Sequence, residues 1–198
     1  MRSALIIAGM IILLISNYSH AESWGTIWDR FLDEPRAEII PGTSSEGTER
    51  RYIRLKSGIV IDQIRKGTDV SSHPWDTSGL GAVMCTWETY VEVKAGLSAC
   101  QTEKYADVLK DLDQALDMIN DFVVANSLSP VAKSQLEADI EERTKHALES
   151  QPSNSACPHQ ELVILFADRL IAMPADEFWK SVEKMLSVPR PPVMNPCL

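Results

Sequence analysis

The sequence predicts a mainly α protein: an up-and-down bundle of about five helices, preceded by an N-terminal helix and a small β-hairpin and stabilised by disulfides. Three observations carry that expectation. Tyr105, Leu109, Leu112, Leu116, Ile119 and Val123 follow one another at alternating steps of four and three, the seam of a helix that packs on other helices. Three later segments repeat a helical spacing. Four cysteines, Cys85, Cys100, Cys157 and Cys197, all follow an export signal, and an even count in an exported chain favours pairing.

The signal comes first. Arg2 precedes the apolar run Ala4 to Ile15, and small residues Ser19 and Ala21 suit cleavage after Ala21. Twelve residues rise about 18 Å as a helix, short of a roughly 30 Å hydrocarbon core, so residues 1–21 read as a signal peptide and not as an anchor. Residues 22–80 then form an N-terminal helix, hairpin and connector, and 81–198 a helical bundle with a Pro-rich tail. Cleavage removes one base and no acid, leaving 18 Lys and Arg against 28 Asp and Glu. Such a field repels nucleic acid and anionic lipid.

Trp24, Ile27, Trp28, Phe31 and Leu32 fall on one stripe of a helix that Pro35 ends. Residues 41–49 read as a loop. Tyr52–Leu55 and Ile59–Ile64 read as a hairpin around Lys56, Ser57 and Gly58. Residues 68–81 read as a second polar connector.

Five bundle helices are expected at 82–95, 102–126, 130–149, 159–172 and 175–187. The first is ambiguous: Val83 to Lys94 alternates like a strand, yet Val83, Trp87, Tyr90, Val91 and Lys94 share a helical face, and the helical neighbours decide for helix. Thr102 and Ser129 suit N-caps, and Pro130 suits a first helical position. Leu162 to Ala167 is almost wholly apolar, which predicts a central, buried helix. Phe178, Trp179, Val182, Met185 and Leu186 form one stripe on the last helix, and the tail from Val188 has prolines that keep it extended. In an up-and-down order, Cys100 and Cys157 fall at the same end, while the extended tail can return to Cys85. The expected bridges are therefore Cys100–Cys157 and Cys85–Cys197.

Few chemistries find their residues. There is no Cys-x-x-Cys for thiol exchange, no His-Glu-x-x-His, no phosphate-binding Gly loop and no Gly-x-Ser-x-Gly elbow. No metal site or cofactor is expected: Cys157, His159 and Glu161 are the nearest approach to a zinc cluster and fall short of one. The Asp residues at 107, 111, 113, 117 and 121 lie along a helix instead of wrapping an ion. The expectation is an exported, periplasmic or secreted, non-enzymatic binding protein. Its partner would be another envelope protein, with no nucleic acid and no membrane insertion after cleavage. Trp24, Trp28, His73 and Trp75 are the candidate partner-binding residues, aromatic anchors on the non-bundle part. The alternatives are a small envelope-polymer hydrolase, with Glu88 beside Trp87 and His73 as its nominal groups, or a structural subunit of an envelope assembly.

Overall fold

The computed structural model describes residues 22–100, 103–150 and 161–197. It corrects the fold class. Among the described residues the chain is α+β: a four-stranded antiparallel sheet precedes five α-helices, where a mainly α bundle with a small hairpin was expected. The strands are β1 (Ala37–Pro41), β2 (Thr48–Leu55), β3 (Ile59–Lys66) and β4 (Asp69–Asp76), in the order β1-β2-β3-β4. The helices are α1 (Val83–Cys100), α2 (Ala106–Asn126), α3 (Lys133–Glu149), α4 (Glu161–Ala172) and α5 (Ala175–Leu186).

The hairpin expected around Gly58 is the β2–β3 pair, with Arg54 opposite Val60 and Tyr52 opposite Asp62. Gly58 is required twice over: its φ is +90°, and a Cβ there would meet the Ser78 Cα at 2.6 Å. β1 and β4 were hidden in stretches that read as a helix end, loops and a connector. β4 holds Pro74, which usually argues against a strand, but an edge strand tolerates it. The N–H of Asp76, two residues on and pointing the same way, leaves the sheet to bond the Asn195 carbonyl at 2.7 Å, so a proline at 74 removes no bond to β3.

The expected N-terminal helix shortens to one tight 3₁₀ turn, Ile27–Phe31. The Asp29 carboxylate folds back to accept the Trp24 N–H at 2.9 Å and the Thr26 N–H at 3.0 Å. Trp24 thereby lies outside the turn. Trp28 and Phe31 point into the inner face of the sheet and join Ile53, Leu55, Ile59, Ile61 and Val193 in one apolar core.

The second core lies among the helices. α1 is its centre: Val83, Trp87, Tyr90, Val91, Val93 and Leu97 are all buried, with contacts to α2, α3 and α4. The α2 seam is buried as its spacing predicts, with Leu112, Leu116, Ile119 and Val123 in this core. α4 is not central. Leu162 is 81% exposed and Leu165 51%, and Ala167 is its one buried residue. The small side chains of Ala95, Gly96 and Ala99 let neighbours approach α1, so α1 takes the middle in place of the more apolar α4. α3 starts at Lys133, three residues after Pro130, because the Gln135 side chain accepts the Ala132 N–H at 3.0 Å and fixes the first turn there. Thr102 lies outside the described residues; a 3₁₀ turn, Glu103–Tyr105, leads into α2.

After α5 the tail runs back to the sheet. Val193 enters the sheet core, and its carbonyl accepts the Met84 N–H at 3.1 Å. Asn195 bridges Trp75, and Cys197 is disulfide-bonded to Cys85 at the start of α1. That bridge is one of the two expected; Cys157 lies outside the described residues. Among the described residues no helix is long and apolar enough to cross a membrane.

Candidate functional site

Period-2 alternation gives the sheet two unlike faces. The inner face is filled, partly by the apolar core and partly by a polar cluster. Arg51 donates to Gln63 Oε1 at 2.8 Å and to Asp29 Oδ1 at 2.8 Å, and Gln63 donates to Thr26 Oγ1 at 2.8 Å and Ser72 Oγ at 3.1 Å. Trp24 is gripped by this cluster. The Arg51 guanidinium carbon lies 4.2 Å from its ring centre and that of Arg65 4.8 Å, both cation–π distances. Burial pushes the Asp29 carboxyl up, but hydrogen bonds from Ser23 and the Thr26 backbone, with the charge of Arg51, hold it below its ordinary value.

The outer face is open. Its residues follow from the register: Glu38, Arg54, Val60 and Trp75 form one row across the strands, and Ile40, Tyr52, Asp62 and His73 the next. Opposed side chains on such rows stand roughly 5 Å apart. Ile40, Tyr52, Val60, Ile64 and Trp75 belong to neither core, and Trp75 is 45% exposed. Arg50 donates to both oxygens of Asp62 and lies over the Tyr52 ring at 5.2 Å. Arg54 pairs with Glu38 at 3.1 Å. The face carries bases and acids in equal number along its rows, unlike the acidic helices.

The four candidate anchors therefore separate. His73 and Trp75 stand together on β4, on the open face. Trp24 is half-buried beneath two guanidiniums. Trp28 is 7% exposed and presents no surface. The hydrolase candidates do not converge either. Glu88, on α1, is bound by both terminal nitrogens of Arg143, whose guanidinium also sits 5.5 Å over the Trp87 ring. The His73 side chain, on the sheet, makes no hydrogen bond or ion pair with another described residue. No group of three or more His, Cys, Asp or Glu among the described residues is placed to hold a metal ion.

Tyr52, Val60 and Ile40 were not singled out from the sequence, because they acquire meaning only once β1 and β4 flank the hairpin. The alternation of β2 and β3 was the available signal. No protein-family model, no curated protein and no solved structure matches the chain.

Proposed function

We propose that the chain is an exported, non-enzymatic binding protein whose contact surface is the outer face of the sheet, centred on Trp75. One observation carries this reading: a half-exposed tryptophan lies beside Val60 on a face that continues across the strands to Tyr52 and Ile40 and belongs to neither core. Buried aromatic anchors ringed by polar groups dominate protein–protein binding energy. Three strands of eight residues and one of five, about 4.8 Å apart, cover at most roughly 500 Å². Matched by a partner, that gives about 1,000 Å² in all, the lower bound of a specific interface. Mixed charge on the face disfavours a polyanion or a polycation and suits another envelope protein with an apolar patch and both signs at its rim. The hydrolase reading has less support: Glu88 is engaged by Arg143 on α1, whereas His73 stands on the sheet, so its two nominal groups share no site.

The test uses the mature protein as bait on its own envelope fraction, with mass spectrometry of the retained proteins, followed by reconstitution from purified components. A partner held by the wild type, lost with Trp75→Ala and rebuilt as a defined complex is expected. Capture unchanged by Trp75→Ala, or polymer hydrolysis abolished by Glu88→Gln, overturns the reading.

A further inference from the structure

A second site lies on the far side of α1 from Arg143, between α1, α4, α5 and the tail. It is a cleft of about 390 Å³, within the size range of small-molecule pockets. Its lining includes Thr89, Tyr90, Phe166, Ser181, Val182 and Met185, with Pro196 of the tail as one wall, and no lining residue carries a charge. That is unusual in a chain whose formal balance is −9.

Tyr90 gives the cleft its chemistry. It is 8% exposed, packed against Phe166 at 6.2 Å and Phe178 at 6.0 Å between ring centres. Its hydroxyl makes no hydrogen bond with any described residue. Every fully buried polar side-chain atom among the described residues has a partner, so this oxygen is not sealed in the core, and Tyr90 is a wall of the cleft. A hydroxyl on a largely buried ring that has no protein partner is free to bond a ligand or water. The Thr89 hydroxyl proton is already given to the Cys85 carbonyl at 2.9 Å and that of Thr86 to the Ala82 carbonyl at 3.3 Å, which leaves Tyr90 and the rim residue Ser181 as the side-chain donors. Burial pushes the Tyr90 hydroxyl up to about 12, so it remains a donor across the physiological range.

We propose that this cleft binds a small uncharged molecule with an aromatic or aliphatic body and a carbonyl-type acceptor, which receives the Tyr90 hydroxyl hydrogen bond. Phe166, Val182 and Met185 cover the body, and the absence of any lining charge selects against ions, whose desolvation nothing would offset.

Benzamide, toluene and benzoate separate the parts of the claim, as uncharged acceptor, ring alone and charged ring. Ligand-observed NMR gives affinity, and protein shifts give location. Saturable millimolar binding of benzamide at α1, α4 and α5 is expected, with benzoate failing to bind. Tyr90→Phe weakens benzamide up to about tenfold, the worth of one hydrogen bond, and leaves toluene unchanged. Ser181→Trp, at the exposed rim, blocks both without touching the core. Equal affinity of benzamide for wild type and Tyr90→Phe, shifts confined to another surface, or no saturation by benzamide overturns the proposal. None of these outcomes bears on the sheet face, which is read by Trp75→Ala.

Discussion

Arg190 and Asp76 stand 114 residues apart in the chain and form an ion pair of 2.7 Å, with side-chain exposures of 0% and 1%. The remaining Arg190 donors reach the carbonyls of Met185 at 2.7 Å, Val188 at 3.1 Å and Gly81 at 2.8 Å. One guanidinium thus joins the end of β4, the approach to α1 and the end of α5. Removing one partner of such a pair strands a buried charge, which costs about 3–5 kcal/mol. Arg190→Ala and Asp76→Ala are each expected to lower the unfolding free energy measured in urea by that much. The double variant should lose less than the sum, a coupling that a double-mutant cycle measures.

The Cys85–Cys197 bridge closes a separation of 112 residues. In the chain-entropy model a loop of that length stabilises by about 4–5 kcal/mol. Cys85→Ser is expected to approach that loss in urea unfolding. The fluorescence of Trp75, beside Asn195, should shift at lower denaturant than the helical signal if the tail loosens first.

Asp29 supplies a pH dependence. Its carboxyl lies below the ordinary value in the folded chain, so the unfolded chain binds its proton more readily. The stabilisation is therefore complete above the unfolded value, near 4, and is lost as pH falls through the lower folded value. Urea midpoints between pH 5 and pH 2 should fall more steeply for the wild type than for Asp29→Asn, whose loss at neutral pH should be about 1–3 kcal/mol.

Trp87 is 2% exposed, and its indole N–H is satisfied by Asn120 Oδ1 at 2.8 Å, itself on a residue 2% exposed. Asn120→Ala leaves that donor without a partner in the helical core. A loss of about 1–3 kcal/mol is expected by thermal or urea unfolding. Asn120→Asp, which keeps an acceptor but buries a charge, should be no better above pH 6 and should recover stability as pH falls.

The sequence carried some of these elements and concealed others, for reasons that can be named. α2 was legible because its seam is regular and faces one core. The β2–β3 hairpin was legible because Ile53, Leu55, Ile59 and Ile61 alternate around a glycine turn. β4 was not, because "DVSSHPWD" has the composition of a connector and its strand form depends on pairing with β3. β1 is five residues ending in proline. The apolar richness of α4 misled for a different reason: a helix is central when neighbours can reach it from several sides, and that depends on small residues as well as greasy ones. The tail's return to Cys85 was reachable from geometry alone, whereas the partner of Arg190 was not, since nothing local links residue 190 to residue 76. In the candidate site, His73 and Trp75 stood out by type, while Tyr52, Val60 and Ile40 needed the register.

The backward run of residues 190–197 imposes an order of assembly. Helices α1 to α5 can coil as soon as each has emerged, but the sheet core lacks Val193, the Asp76 carboxylate lacks its counter-charge and Cys85 lacks its mate until this stretch arrives. Truncation just after Leu186 would leave every named helix and strand in the polypeptide and still deny it a finished interior.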